Sequence, residues 1–214
     1  MASAEQATRL EPHFQDLAKQ THAARLGMWV FIGSEALLFS ALFALYAAYR
    51  VAYPGAFEDA AGHTDLALGT IMTAVLLTSS FLVAMSLGRI RRRLARDAVL
   101  FLVGAAALGA AFLVLKGMEY ASHFRDGIYP GVWYRAPEVP GEGANIFFTL
   151  YYAMTGLHAV HVLGGVLLLA WLAWLVRRGR IDDAYHTPLE LGGMYWHFVD
   201  VIWVFLWPLF YLLR

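Results

Sequence analysis

Long runs of apolar residues, separated by short polar stretches, dominate the sequence. Five runs approach or exceed the roughly 20 residues that a helix needs to cross the hydrocarbon core of a membrane. We therefore predict an all-α, multi-pass membrane protein with a bundle of five transmembrane helices. The third run is short, and the fourth is long enough to be tilted or to project from the membrane. The predicted spans are Leu26 to Tyr49, Leu66 to Leu87, Ala98 to Leu115, Ile146 to Val176 and Gly193 to Leu213.

The polar start of the chain differs from the rest. It lacks the apolar core that a cleavable signal peptide needs. We interpret residues 1–25 as a cytoplasmic N-terminal segment, in which residues 15–27 have the pattern of a short amphipathic helix. Residues 26–214 then form one five-helix membrane domain. The longest connection, residues 116–145, is rich in proline and glycine, and we expect it to form an ordered external cap whose first residues continue the third helix.

The basic residues predict an orientation in the membrane. Eleven lie in the N-terminal segment and in the connections after the second and fourth spans, and five lie on the opposite side. Cytoplasmic loops carry the excess of lysine and arginine in membrane proteins. The sequence therefore predicts a cytoplasmic N-terminus and an external C-terminus.

Composition narrows the class of protein further. The chain is 60% hydrophobic and 15% charged, whereas soluble domains have about 25% charged residues. Its formal net charge is zero, which gives no indication of nucleic-acid binding. It contains no cysteine, so disulfides, thiolate metal sites, iron–sulfur clusters and thiolate-bridged copper centres are excluded.

A single carboxylate interrupts the first span, in the stretch FIGSEALLF. A charged group inside hydrocarbon is costly and usually has a use. At a rise of about 1.5 Å per residue, Glu35 lies near the midplane, and His161 of the fourth span reaches a similar depth. We predict that this carboxylate faces an imidazole. It either fixes the helix register or handles protons or contacts lipid.

Other polar residues of the spans allow two interpretations each. His158 and His161 form an HxxH pair, which could bind haem or metal but more simply makes polar contacts between helices. Lys116 and Glu119 are spaced for an i,i+3 ion pair at the end of the third helix.

The fifth span contains YWHFVDVIW. We predict that His197 and Asp200 form an interfacial polar anchor on the cytoplasmic side, in contact with protons or lipid, rather than a catalytic pair. Trp196 and Trp203 belong to the same side of this helix and serve either packing or a lipid-binding belt.

These motifs together resemble one family, the cytochrome c oxidase subunit III family of the haem-copper respiratory oxidases. The chain is similar to the five-helix bacterial form, which lacks the first two helices of the seven-helix form. The matching blocks follow the family's order and cover almost the whole chain from Arg25 onward. They are RLGMWVFIGSEALLF, KGMEY followed by DGIY, YYAMTGLHAVHVLGG and MYWHFVDVIWVFLWPLFY.

The resemblance implies an accessory subunit of the bacterial inner membrane, without a catalytic centre, haem, copper or another metal in this chain. Haem and copper would belong to the catalytic subunit I, and subunit II and a small subunit IV are further expected partners. The resemblance also implies that the chain retains phospholipids, supports proton uptake and preserves the active site during turnover. The family's intramembrane carboxylate corresponds to Glu35, its histidine pair to His158 and His161, and its terminal block to Trp196 through Asp200. We hypothesise that His13, His22, His197 and Asp200 buffer proton delivery.

Three alternatives remain open at this point. The partner could be a quinol oxidase or a nitric-oxide-reductase-associated complex, although a glutamate at position 35 favours cytochrome c as electron donor. A b-type cytochrome anchor would use His158 or His161 as haem ligand with a histidine at similar depth on another helix. A proton or ion transporter would use Glu35, but the chain lacks the broken span pairs that mark many transporter sites.

Overall fold

The computed structural model describes residue 14, residues 16–136 and residues 139–213, and the regular structure of these residues is helical. Five of the helices are long and apolar enough to cross a membrane, which confirms the predicted fold class. The orientation of the termini remains a prediction. The helices are α1 (Leu17–Ala52), α2 (Pro54–Ala61), α3 (Leu66–Arg91), α4 (Ala95–Arg125), α5 (Glu142–Arg177) and α6 (Thr187–Trp207), with a 3-10 turn (Gly131–Trp133) and a π-helical turn (Pro208–Leu212).

Local sequence signals set several helix ends. The side chain of Asp16 accepts a hydrogen bond from the Lys19 amide at 2.7 Å and caps α1. Asp65 caps α3 in the same way, at 3.0 Å from the Leu68 amide. Pro54 has no amide hydrogen to continue α1 and instead begins the short helix α2.

Two helices extend furthest beyond the predicted spans. Helix α1 begins at Leu17 and runs through the predicted boundary between residues 25 and 26. The prediction of a helix within residues 15–27 is confirmed from Leu17 onward, but the helix is not short, because it starts at the Asp16 cap and continues into the first span. Helix α4 continues to Arg125, as expected from its polar end, so the connection to α5 begins only at Asp126.

The bundle is packed unevenly. Helices α3 to α6 enclose most of the buried side chains, and α1 lies along the edge formed by α5 and α6. In the most apolar stretch of α1, only 6% of the residues are buried inside the bundle. In the corresponding stretch of the span that begins with α6, 44% are buried. Most of α1 is therefore available to lipid or to another chain.

Two tryptophans of α6 occupy the centre of the bundle. Trp196 packs against Gly109 of α4 and Gly165 of α5, where any added Cβ would collide with its indole ring. The Trp203 Nε1 donates to the Thr73 hydroxyl at 3.0 Å. Both indoles are fully buried within this chain. Of the two roles predicted for these residues, the structure therefore supports packing and contradicts contact with lipid.

Candidate functional site

The predicted contact between Glu35 and His161 is present. The His161 Nε2 lies 3.0 Å from the Glu35 Oε2 and joins α1 to α5. The Nδ1 of the same ring lies 2.8 Å from the Leu157 carbonyl oxygen. The ring of Phe39 packs edge-on against the imidazole, and the Tyr195 hydroxyl donates to the His161 carbonyl at 2.9 Å. We call Glu35 and His161 the carboxylate–histidine pair.

The two hydrogen bonds of His161 require specific protons if both are to form. A carbonyl oxygen only accepts, so the His161 Nδ1 carries a hydrogen. The contact from Nε2 to Glu35 then requires one further proton, either on the carboxyl group or on the imidazole. In both forms the pair as a whole has no net charge, which suits a site inside the membrane.

The pair remains accessible from outside the chain. The side chain of Glu35 is 20% exposed and that of His161 is 14% exposed. Because α1 is lightly covered, this opening faces the surroundings of the bundle and not its interior. A neighbouring subunit or a bound water could therefore reach the pair.

His158 does not make the predicted polar contact between helices. Its ring stacks on Trp203 at 5.2 Å between centroids and meets the Phe112 ring edge-on at 5.6 Å. Both ring nitrogens are buried without a hydrogen-bond partner among the described residues. His158 lies about one turn from His161 along α5, as the i,i+3 spacing predicts. The two side chains point in different directions around the helix axis, and that of His158 points into the aromatic core.

The polar groups of α6 lie deeper in the bundle than predicted. Ser80 of α3 hydrogen-bonds the Nδ1 of His197. Asp200 is 4% exposed, and the Ser80 hydroxyl that bonds His197 also lies close to its carboxylate. The prediction of an interfacial anchor is therefore wrong for Asp200, because its side chain points inward between helices. His22 lies in α1 and is exposed, and His13 lies outside the described residues.

A second ionic group is built around the predicted Lys116–Glu119 pair. The Lys116 Nζ donates to Glu119 Oε2 and to the hydroxyls of Tyr151 and Tyr211, each at 2.8 Å. The Tyr211 hydroxyl in turn donates to Glu119 at 2.8 Å. The predicted ion pair is confirmed. It is more deeply buried than expected for a pair at the end of a helix, since Lys116 is 2% exposed and Glu119 is 3% exposed. We call these four residues the lysine cluster.

Sequence reasoning missed the group that joins the predicted cytoplasmic ends of α1, α3 and α6. Glu190 accepts from Arg25 at 2.6 Å and from Arg91 at 2.7 Å, and His186 lies 3.2 Å away. Arg25 and Arg91 are distant from Glu190 in sequence, so no local spacing predicts these two contacts, and the excess of arginine on this side was the signal for them. The contact with His186 has the i,i+4 spacing of a helix and could have been found from the sequence. Among the residues that the structure describes, no three histidines or carboxylates are placed to hold a metal ion.

Comparison with known proteins provides independent evidence about the family of this chain. The sequence model of the family described as "Cytochrome c oxidase subunit III" matches residues 142–213. Cytochrome c oxidase subunit 3 of Thermostichus vulcanus is 34% identical over 189 residues, which cover 88% of this chain and 86% of that protein. The protein of the same name from Synechocystis sp. is 30% identical over 188 residues, covering 87% and 74%. Quinol oxidase subunit 3 of Bacillus spizizenii is 26% identical over 189 residues, covering 88% and 86%. The helical spans, the matched family model and these relatives together establish that the chain belongs to the cytochrome c oxidase subunit III family.

Proposed function

We propose that this chain is an accessory subunit of a haem-copper terminal oxidase of the cytochrome c oxidase type, in the cell membrane of a bacterium. The catalytic subunit I would reduce oxygen and pump protons, with subunit II and a small subunit IV as further partners. This chain would stabilise the catalytic subunit, retain phospholipid and support proton uptake. The observation that carries the proposal is the carboxylate–histidine pair, open towards the membrane on the most lightly packed helix of a subunit III family member.

The histidines of the spans support placing haem and copper in the partner. The His158 ring is enclosed by Trp203 and Phe112. Both nitrogens of His161 already have partners within this chain, at Leu157 and Glu35. An axial haem ligand needs a free nitrogen directed into a pocket, which neither residue provides. This geometry disfavours the b-type cytochrome anchor.

The carboxylate–histidine pair suits proton supply rather than catalysis. It holds a single proton between two groups without adding net charge to the membrane interior. Its partial exposure lets a neighbouring chain or bound water exchange that proton. We therefore assign Glu35 and His161 a role in buffering the proton uptake of the catalytic subunit, and thereby in preserving its active site during turnover.

A quinol oxidase is the second candidate. Quinol oxidase subunit 3 of Bacillus subtilis is 25% identical over 189 residues, and it too covers 88% of this chain. Two relatives with 30% identity or more, from Thermostichus vulcanus and Synechocystis sp., are named cytochrome c oxidase subunits, which favours cytochrome c as electron donor. Oxidation of reduced cytochrome c, compared with oxidation of a quinol by the same purified complex, decides between the two.

Co-purification tests the proposed function. The chain would be tagged in its native host, solubilised in mild detergent and purified beside an untagged control. We expect a large haem- and copper-bearing subunit, a haem spectrum in visible light and oxygen consumption. Recovery of the chain alone, or of haem bound to the chain itself, would overturn the proposal.

A further inference from the structure

A cavity opens where the predicted cytoplasmic ends of α4 and α5 meet. Its volume is about 370 Å³, within the range of about 300–1,000 Å³ that is usual for small-molecule pockets. Arg96 in the first turn of α4 and Arg177 in the last turn of α5 line it. Ala95, Val99 and Val176 form its apolar part. The cavity therefore combines two cations with a hydrocarbon surface.

In the described part of the chain, the two arginines of this cavity lack a carboxylate partner, unlike Arg25, Arg89, Arg91 and Arg93 at the same end of the bundle. Within the described residues, neither Arg96 nor Arg177 forms an ion pair with a carboxylate. The first turn of α4 carries one carboxylate, Asp97, and this lies 3.5 Å from Arg89 and not beside an arginine of the cavity. The other arginines with partners at this end are Arg25 and Arg91 on Glu190, Arg93 on Asp183, Arg89 near Asp97, and Arg178 and Arg180 over the Trp174 ring.

The surroundings place this cavity at the membrane interface. Trp171 and Trp174 are exposed on α5 close to its end, as tryptophans of interfacial belts are. On α4, Leu100 is exposed immediately beyond Val99, so the apolar part of the cavity continues onto a lipid-facing surface. An inorganic anion or a protein carboxylate would use the two arginines but leave this apolar continuation unexplained. A phospholipid uses both.

We propose that Arg96 and Arg177 bind the phosphate of an anionic phospholipid, with its acyl chains along α4 and α5. Basic pockets between transmembrane helices on the cytoplasmic side are known to bind anionic headgroups. The site specifies how the chain would retain phospholipid, which is part of the proposed function. It rests on the proposed function only in that the chain must lie in a membrane. Each arginine near an anionic surface contributes about 1 kcal/mol of attraction, so removal of both charges should weaken binding about 30-fold.

The test compares three forms of the complete complex purified from its membrane. The variant R96Q/R177Q removes both cations, and R92Q removes an exposed arginine of the same connection that does not line the cavity. Native mass spectrometry counts the phosphatidylglycerol that each complex retains. The delipidated complexes are then titrated with phosphatidylglycerol, with phosphatidylcholine or with inorganic phosphate. We expect R96Q/R177Q to retain less phosphatidylglycerol and to rebind it about 30-fold more weakly, while R92Q behaves as the parent protein.

Several outcomes would overturn this site. Equal retention and rebinding in all three forms would show that the arginines hold no lipid. Competition by inorganic phosphate as strong as that by phosphatidylglycerol would assign a free anion. Loss of a protein subunit with unchanged lipid would assign a protein carboxylate. The variant R96K/R177K keeps both charges and should retain the lipid, which separates a binding defect from misfolding. The haem spectrum of the same samples tests the proposed function separately, so the two failures are distinguishable.

Discussion

Two acid–base groups inside the same bundle differ in how closed they are. In the lysine cluster, Lys116 and Glu119 are 2% and 3% exposed, and both are hydrogen-bonded within the chain. In the carboxylate–histidine pair, Glu35 and His161 are 20% and 14% exposed. The first group is enclosed by the C-terminal π-helical turn, since Tyr211 from that turn bonds both charges. The second lies between α1 and α5, at the lightly covered side.

This difference in exposure indicates a structural role for the lysine cluster and a functional role for the carboxylate–histidine pair. The three hydrogens of the Lys116 ammonium have three acceptors, so the cluster leaves nothing for a ligand or a proton donor to bind. The carboxylate–histidine pair lies beside an opening to the surroundings of the bundle. We infer that the lysine cluster fixes the C-terminal turn against α4 and α5, and that the pair serves proton exchange with the partner.

Substitution of Lys116 by methionine has the largest expected effect. It leaves the Glu119 charge buried without its cation, which costs about 3–5 kcal/mol of unfolding free energy. Denaturant titration of the purified complex, followed by the loss of its native helical signal, measures this cost. The double variant K116M/E119L removes both charges and should recover much of the stability. A K116M loss below about 1 kcal/mol would contradict the structural role of the cluster.

Substitution of Tyr211 by phenylalanine tests the same cluster through its hydroxyl. The change removes the hydrogen bonds that this hydroxyl makes with Lys116 and Glu119 and should cost about 1–3 kcal/mol. The matched control is Tyr129→Phe, because no hydrogen bond of the Tyr129 hydroxyl occurs within the described residues. Equal stability of the two variants would show that the C-terminal turn is held by packing alone.

The carboxylate–histidine pair should contribute less to stability. A double-mutant cycle with Glu35→Gln and His161→Phe measures their coupling, and polar contacts in membrane bundles average about 0.6 kcal/mol. Denaturant titration of the four forms provides the data. A coupling of about 3 kcal/mol or more would place this pair in the same class as the lysine cluster and remove the contrast.

The smallest effect is expected at an exposed ion pair. Arg93 lies 2.9 Å from Asp183, and its side chain is largely exposed. The change Arg93→Gln should cost about 0.2–1 kcal/mol, and 0.5 M salt should reduce the difference from the parent protein. A larger cost, or one that salt does not change, would show that this ion pair stabilises the end of the bundle more than expected for exposed charges.

Much of the fold followed from the sequence because the helix has a fixed rise and the membrane a fixed thickness. The same arithmetic placed Glu35 and His161 at one depth, and the structure brings them into contact. The rise per residue predicts how deep a residue lies in the membrane, but not the direction in which its side chain points around the helix axis. His158, one turn away, therefore packs on Trp203 instead of making a polar contact.

Long-range packing explains the remaining differences. The burial of Lys116 depends on Tyr211, which is distant in sequence and reaches the cluster through the turn after α6. The inward position of Asp200 depends on the way α6 packs against α3, whose Ser80 bonds the neighbouring His197. Neither relation has a local pattern. The start of α1 at Leu17, by contrast, was readable in principle from the Asp16 cap.

The most direct test of this account is the number of turnovers that the oxidase completes before it loses activity. The purified complex with Glu35→Gln would be compared with the parent complex and with Glu58→Gln, a matched change at an exposed carboxylate of the short helix α2. We predict that the Glu35→Gln complex assembles with an unchanged haem spectrum but inactivates after fewer turnovers, while Glu58→Gln matches the parent. Equal lifetimes of all three complexes would contradict a role for the carboxylate–histidine pair in proton supply.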